Sequence, residues 1–426
     1  MEWLIGLTLV VLALIGTPLF VIILAAAATG FYFADIDLAV IVIEIYRIAD
    51  IPLLIALPLF TFAGYILSES NTSHRIVELS RALFGWIPDE LAIVTLISCA
   101  LFTAFTGATG VTIVALGALL LPALKEAGYS EKYSTGLVTT SGSLGLLLPP
   151  SLPLILYVII VQQMDIGETI SMEDAFKAGI LPSLLMILLL VAWSRWATRN
   201  SPVDKQRFNS LRLWHSLYAA RWEIPLPFVV LAGIYGGIFA VSEAAAVTAI
   251  YALIVEVFIY KEIRLGKIPD IIRESMLVVG GILLILAASL ALTNYIIDAE
   301  IPALLFDWIR EHISSKLVFL IILNIFLLVL GAFLDIFSAL VLIIPLILPL
   351  ALGYGIHPLH LGIIFLANMQ VGYFTPPVGM NLFIASYRFK KPISEIYAST
   401  IPFMLVLLLA VLIITYWPDL SLAFIN

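Results

Sequence analysis

Two short motifs in this chain combine helix-breaking residues with backbone oxygen atoms that could bind a hard cation. They lie at Gly145 to Pro150 and at Gly372 to Pro377, and both have the pattern Gly-x-x-x-Pro-Pro. Proline lacks an N–H group and disfavours helical geometry in the residue before it, so each motif interrupts the helix around it. Carbonyl groups freed by such breaks can bind Na⁺, whereas a transition metal prefers imidazole or thiolate ligands.

An offset of 227 residues separates the two motifs and also relates positions outside them. It carries Pro122 onto Pro349 and Gly128 onto Gly355. Helix-breaking residues that recur in register over half a chain indicate an internal repeat.

The motifs lie in a chain that is 62% hydrophobic and only 12% charged. Several apolar segments reach the ~20 residues that span a bilayer, so we predict an all-α polytopic membrane protein. Cys99 is the only cysteine, which excludes an internal disulfide and a cysteine-based metal site. No phosphate-binding Gly-Lys-Ser/Thr loop occurs, so transport driven directly by ATP is not expected of this chain.

Two apolar segments, 90–124 and 316–352, are too long for one straight span and are interrupted at 106–110 and 331–335. Such segments are typical of re-entrant helical hairpins, which enter and leave the membrane on the same side. The two Gly-x-x-x-Pro-Pro motifs lie in crossing segments, which we predict to be broken transmembrane helices. The segments predicted to cross are 3–33, 52–68, 133–164, 175–198, 224–240, 241–260, 276–297, 359–387 and 394–417.

The loop charges support the hairpins, because Lys and Arg concentrate in cytoplasmic loops. We count both hairpins as re-entrant and the nine other segments as crossings, and we place the N-terminus in the cytoplasm. Only four of the 21 Lys and Arg residues then lie outside: Arg47, Lys177, Arg310 and Lys316. The partition is lost if the hairpins end on the other side. It places the C-terminus in the periplasm and gives the two repeats opposite orientations, as in many secondary transporters.

The prediction therefore divides the chain into two inverted repeats and their connections. The units are an N-terminal span and interfacial segment (1–51), the first inverted repeat (52–199), an amphipathic linker and helix pair (200–275), the second inverted repeat (276–417) and a C-terminal tail (418–426). Segments 72–86, 203–222 and 300–312 mix basic, aromatic and apolar residues. They are either amphipathic helices in the membrane interface or ordinary connecting loops.

Two acidic residues lie deep in apolar segments, where a charge costs ~2.5–3.5 kcal/mol. Asp335 is at the break of the second hairpin, which favours a role in cation binding or gating. Glu243 opens the segment 241–260, where the helix dipole stabilises a carboxylate, so we interpret it as structural.

Neutral polar residues near the breaks are candidates for a central cavity. They are Thr109, Ser141, Ser143, Ser151, Asn368, Gln370 and Asn381. Thr293 and Asn294 could line the same cavity or form hydrogen bonds between helices. No Arg or Lys lies deep in the apolar core to hold a carboxylate through two hydrogen bonds, so the residues do not specify a substrate.

Several stretches of the chain resemble the large membrane subunit of tripartite ATP-independent periplasmic (TRAP) transporters. They are 103–110, 145–151, 233–239, 243–245 and 372–383, and the resemblance covers essentially the whole chain. It implies a sodium-driven importer of small organic acids in a bacterial inner membrane. It also implies a small four-helix membrane partner, a periplasmic substrate-binding protein and an elevator-type movement.

The resemblance further implies two sodium sites. The first consists of Thr106 and Ala108 with carbonyl groups of Gly145, Leu148 and Pro150. The second lies, by symmetry, near Gly331, Asp335, Gly372, Thr375 and Pro377. Many relatives carry serines where Thr106 and Ala108 stand, so Ala108 could bind a cation only through its carbonyl group.

Two other functions remain open at this stage. A sodium–carboxylate symporter of similar architecture would need no binding protein. The other alternative is an intramembrane enzyme or a scaffold that transports nothing. No close Ser/His, Cys/His or paired-Asp arrangement at membrane depth supports an enzyme. We therefore expect a transport protein that works in the lipid bilayer and binds no nucleic acid.

Overall fold

The computed structural model describes residues 8–9, 11–12, 15–84, 90–164, 170–199, 209–313 and 315–425. In these ranges the chain is helical and has no strand. Eight of the helical segments described are long and apolar enough to cross a bilayer. The prediction of an all-α polytopic membrane protein is confirmed.

The helices are numbered here in chain order. The first half contains α1 (Leu19–Phe33), α2 (Ala39–Arg47), α3 (Ala56–Glu69), α4 (Thr72–Phe84), α5 (Glu90–Thr106), α6 (Thr109–Glu126), α7 (Glu131–Ser141), α8 (Leu152–Gln163), α9 (Met172–Thr198) and α10 (Ser210–Ala219). The second half contains α11 (Pro225–Tyr235), α12 (Val241–Leu253), α13 (Ile268–Asp298), α14 (Ile301–His312), α15 (Lys316–Phe333), α16 (Ile336–Gly353), α17 (Pro358–Gly372), α18 (Met380–Phe389), α19 (Ile393–Tyr416) and α20 (Asp419–Leu422).

Each of the two long apolar segments folds as a pair of helices. The first pair is α5 and α6, and the chain turns between them at Gly107, which has a φ of +63° that favours glycine. The second pair is α15 and α16, and the chain turns there at Leu334 and Asp335. The ends of α5 and α15 are 227 residues apart, and so are the starts of α6 and α16. The predicted breaks are confirmed.

Both Gly-x-x-x-Pro-Pro motifs interrupt helices as predicted. After α7 the chain forms one 3-10 turn, Leu144–Leu147, before α8 begins, and the two parts of this helix are bent by 40°. In the second half, α17 ends at Gly372 and α18 begins at Met380. The Pro149–Pro150 and Pro376–Pro377 peptide bonds are both cis.

The broken helices lie at the centre of the molecule. Every residue of α17 is buried, and so is α8 from Leu152 to Val161. A helix that is buried on all sides has no face for water and is stable when other helices surround it. The hydroxyl of Tyr157 on α8 donates to the carbonyl of Pro358, the first residue of α17, at 2.5 Å. Outer helices such as α13 instead expose leucines.

The three predicted amphipathic segments contain helices α4, α10 and α14. Residues 85–86 of the first segment and 203–208 of the second lie outside the described residues. Trp214 on α10 and Trp308 on α14 are 70% and 60% exposed, so each helix presents an aromatic side chain outward. The helical interpretation is correct, while their position in the membrane interface stays a prediction.

One predicted crossing, 224–240, contains a shorter helix than a full span needs. Helix α11 has 11 residues and ends at Tyr235, and Gly236 and then Gly237, with a φ of +67°, follow it. A complete crossing takes ~20 residues. The orientation of the second repeat, which depends on this crossing, stays a prediction.

Candidate ion and substrate site at the two helix breaks

The first hairpin contacts the first helix break through its backbone. A Cβ atom added at Gly145 would lie 2.2 Å from the carbonyl oxygen of Ala100 and 2.4 Å from the nitrogen of Ala104. The hydroxyl of Thr103 donates to the carbonyl of Gly142 at 2.9 Å. Only glycine allows this approach at position 145, so α5 and the unwound part of the first broken helix form one tight junction.

The second hairpin contacts the second break in the same way. A Cβ atom added at Gly372 would lie 2.6 Å from the Cα atom of Gly331. The N–H of Gly379 donates to the carbonyl of Ala332 at 2.8 Å. Ala104 and Gly331 are 227 residues apart, as are Gly145 and Gly372, so the same offset relates the two junctions.

Residues predicted for the first sodium site lie at the first junction. Thr106 ends α5 and is 1% exposed, and Ala108 directly precedes α6. The carbonyl of Gly145 accepts the N–H of Leu148 at 3.1 Å, and Pro150 is buried just before α8. A carbonyl oxygen has two lone pairs, so the Gly145 carbonyl can still bind a cation.

In the second predicted sodium site, Asp335 has a clear structural task. It is the N-cap of α16, and its Oδ1 accepts the N–H groups of Phe337 and Ser338 at 3.0 Å each. Its Oδ2 accepts the hydroxyl of Ser338. The negative charge is stabilised at this helix N-terminus, and the carboxylate has further lone pairs for a cation.

The other members of the second site lie on the unwound segment after α17. The hydroxyl of Thr375 donates to the carbonyl of Val371 at 2.9 Å. Pro377 is exposed, and its carbonyl accepts the hydroxyl of Tyr397. Both oxygens are therefore already engaged once within the protein.

Four of the predicted cavity residues meet as two pairs that join the halves of the chain. The hydroxyl of Thr109, at the start of α6, donates to Oδ1 of Asn381 on α18 at 2.7 Å. The hydroxyl of Ser143 donates to the carbonyl of Gln370 at 3.2 Å, and these two residues are 227 positions apart. The structure thus brings both breaks and the first hairpin tip together.

The remaining predicted cavity residues have other partners. Ser141 donates to the carbonyl of Val138 at 3.2 Å, and Ser151 caps α8 by accepting the N–H of Leu154 at 3.3 Å. Asn368 donates through Nδ2 to Oδ1 of Asn324 on α15 at 2.7 Å.

Thr293 and Asn294 line a different pocket, which does not include Asn381. That they share a cavity with Asn381 stays a prediction. They lie near the end of α13, an outer helix, whereas Asn381 lies on the central helix α18.

Several buried polar atoms of the central site have no hydrogen-bond partner among the described residues. They are Oε1 and Nε2 of Gln370, Nδ2 of Asn381 and Oδ1 of Asn368, and all three side chains are 0% exposed. Leaving a buried polar group unpaired costs about 1–3 kcal/mol. These atoms are available for hydrogen bonds with a polar ligand, and the N-termini of α6 and α18 at the Thr109–Asn381 pair favour negative charge.

The Thr109–Asn381 contact gives a prediction for stability. Thr109→Val should lower the melting temperature, because it removes the only donor to the buried Oδ1 of Asn381 among the described residues and costs about 1–3 kcal/mol. Thr61→Val is the matched control, since the buried hydroxyl of Thr61 has no hydrogen-bond partner among the described residues. It should leave the melting temperature unchanged or raise it. Equal losses in the two variants, measured by thermal unfolding in detergent, would contradict the importance of this contact.

Comparison with known proteins identifies the family of this chain. Residues 7–420 fit the family model described as "Tripartite ATP-independent periplasmic transporter, DctM component". The chain belongs to this TRAP transporter family. This confirms the resemblance seen in the motifs, and it confirms that the chain is a transport permease rather than an enzyme.

Individual TRAP relatives match over most of the chain. The C4-dicarboxylate TRAP transporter large permease proteins of Pseudomonas aeruginosa and Rhodobacter capsulatus are 32% and 34% identical to it, over 95% and 88% of this chain and 93% and 87% of theirs. An isethionate TRAP transporter permease of Oleidesulfovibrio alaskensis is 31% identical over 87% of this chain and 58% of its own. Among solved structures, the Alcanivorax borkumensis YdaH transporter has a similar fold, with a TM-score of 0.64, 17% identity and coverage of 89% and 87%.

The sequence did not reveal one charged cluster of this TRAP permease. Arg75 on α4 forms ion pairs with Glu223, with Glu256 at 3.1 Å and with Glu262 at 2.5 Å, and it lies 4.0 Å from the ring centre of Tyr260. Burial would raise the pKa of Glu262, but its hydrogen bond with Arg75 lowers it below the usual value. These glutamates are far from Arg75 in the chain, so no local pattern indicates the cluster.

Proposed function

We propose that this chain imports a small organic acid by sodium-coupled transport after a periplasmic binding protein delivers it. The two equivalent junctions carry the proposal: Ala104 packs on Gly145, and Gly331 packs on Gly372. Each junction places unwound backbone beside a helix C-terminus, where carbonyl oxygens favour a cation. One sodium ion at each junction gives at least two ions per cycle.

The proposed first ion is held by Thr106, Ala108, Gly145, Leu148 and Pro150. The proposed second ion is held by Gly331, Asp335, Gly372, Thr375 and Pro377. Between them lie the substrate groups, of which Thr109, Asn381 and Gln370 are the best supported, because they contact across the halves or carry unpaired buried atoms. The named C4-dicarboxylate relatives support a carboxylate as the transported group.

The contact between Ser143 and Gln370 supports the inverted repeat. Two residues that are equivalent in a repeat can touch only near the axis that relates the two copies. An axis in the membrane plane would give residues 52–199 and 276–417 opposite orientations. In the proposed elevator movement, α5–α8 and α15–α18 move as one body against the outer helices of the remaining segments.

The proposal places the chain in a bacterial inner membrane with a small four-helix subunit and a periplasmic binding protein as partners. Uptake of succinate into vesicles that contain both membrane subunits tests it. We expect accumulation only when an inward sodium gradient and the binding protein are both present. Sodium-driven uptake without the binding protein would instead favour the alternative, a self-sufficient sodium–carboxylate symporter.

Orientation gives a separate prediction. In a Cys99→Ala background, Asp307→Cys should react with an impermeant maleimide added to the periplasmic side, and Lys267→Cys should stay protected. Lys267 directly precedes α13 and Asp307 lies on α14, which follows α13, and both are exposed, so accessibility alone does not distinguish them. Labelling of Lys267→Cys from the periplasm, with Asp307→Cys protected, would overturn the proposed N-terminus inside and C-terminus outside.

A further inference from the structure

A second polar pocket lies apart from the central site, where α2, α8, α13 and α16 meet. Its polar lining consists of Glu44, Arg47, Gln163, Ser289, Thr293 and Asn294. None of the pairs at the helix breaks contributes to it. In the proposed orientation it lies in the outer half of the membrane, on the side from which a substrate arrives.

Arg47 provides the positive charge of this pocket. Its Nη1 lies 3.1 Å and 3.2 Å from the two carboxylate oxygens of Glu44. Its Nε and Nη2 have no acceptor among the described residues. A guanidinium has five N–H donors in a fork that suits a carboxylate, so most of them remain available to a ligand.

The facing wall adds neutral donors. The side chains of Gln163, Thr293 and Asn294 form no hydrogen bond within the described part of the chain. Ser289 differs, because its hydroxyl already donates to the carbonyl of Val341 at 2.7 Å. One guanidinium with amide and hydroxyl groups suits a carboxylate, whereas the single acid, Glu44, is already paired and offers little to a cation.

We infer that this pocket binds the carboxylate end of a small organic acid at the outer surface, before the acid reaches the central site. The inference rests on the proposed function for the direction of transport. Glu44 competes with the acid for Arg47: it accepts hydrogen bonds from Nη1 of Arg47 when no acid is bound, and the acid replaces it as the acceptor. The pocket lies between α8 and α16, which belong to the proposed moving body, and α2 and α13, which do not.

Because Glu44 competes with the acid, substitutions of Arg47 and Glu44 should change the affinity for a carboxylate in opposite directions. Arg47→Gln should weaken binding of a carboxylate about tenfold or more, because it removes charge-assisted hydrogen bonds. Glu44→Gln should strengthen binding by about threefold, because it frees the same donors. Arg47→Lys should give an intermediate value, since it keeps the charge without the fork. A purely structural ion pair would lose function in both single variants.

Protection of a cysteine in the pocket measures this binding without transport. Met164 lines the pocket and adds no polar group, so Met164→Cys in a Cys99→Ala background serves as the reporter. The full chain in proteoliposomes reacts with N-ethylmaleimide at increasing concentrations of succinate. Succinamide, which has a similar size and no charge, is the ligand control. Arg310→Gln is the variant control, because Arg310 is exposed and lies outside the pocket.

We expect saturable protection by succinate and none by succinamide. The half-protecting concentration should rise in Arg47→Gln, fall in Glu44→Gln and stay unchanged in Arg310→Gln. Absence of protection, equal protection by both compounds, or shifts of Arg47→Gln and Glu44→Gln in the same direction would overturn the inference. Because the assay needs neither sodium nor a binding protein, failure of sodium-driven uptake would count against the proposed function alone.

Discussion

Replacing Gly372 with alanine is expected to abolish sodium-driven uptake. The added Cβ would lie 2.6 Å from the Cα atom and 2.7 Å from the carbonyl carbon of Gly331. These are backbone atoms, so no side-chain rotation can relieve the overlap, and the second hairpin must move away from the helix break. Gly145→Ala should have the same effect at the first junction, where the obstacle is the backbone of Ala100 and Ala104.

Overpacking of this kind typically costs about 1–3 kcal/mol, so both variants should also unfold at a lower temperature. Gly280→Ala is the matched control, because Gly280 is a helical glycine with no atom near its added Cβ. It should retain uptake and melt no earlier than the parent. Near-normal uptake by Gly372→Ala would show that the close junction is unnecessary for transport.

Asp335→Ala is the second substitution with a large expected effect. It should reduce sodium-driven uptake strongly while expression stays largely intact. The residue caps α16, so the loss of the cap alone costs about 0.5–2 kcal/mol. Because Asp335 is also a proposed cation ligand, its removal should reduce the uptake rate far more than it reduces the free energy of unfolding.

Asp335→Asn separates these two roles. Asparagine is as good an N-cap as aspartate, but it carries no charge. The half-saturating sodium concentration should therefore rise at least about tenfold in Asp335→Asn, with a melting temperature close to that of the parent. An unchanged sodium dependence together with full uptake would reduce Asp335 to a structural cap.

The sequence allowed prediction of the helix breaks because their causes are local. Gly145 to Pro150 and Gly372 to Pro377 interrupt a helix through their own backbone chemistry, and the turn at Gly107 follows from glycine's freedom at positive φ. The structural role of Glu243 at the start of α12 was also predictable, and its carboxylate accepts the N–H of Ala240, the N-cap residue, at 2.9 Å.

Contacts between distant segments could not be predicted in this way. Thr109 and Asn381 are 272 residues apart, and several other threonines and asparagines were equally suitable partners. Asn368 fits the same pattern as Gln370, yet it bonds to Asn324 on a neighbouring helix. Which polar residue faces which helix depends on how the two halves pack, and no local pattern carries that information.

The most direct test of the account is the dependence of uptake on sodium concentration. Two equivalent junctions predict two sodium ions that bind before one acid is carried, so the initial rate should be sigmoidal, with a Hill coefficient above one. A monocarboxylate with two sodium ions would also carry one positive charge, worth ~2.3 kcal/mol per 100 mV of membrane potential. Uptake that is hyperbolic in sodium, indifferent to sodium or driven by a proton gradient would contradict the paired-site account.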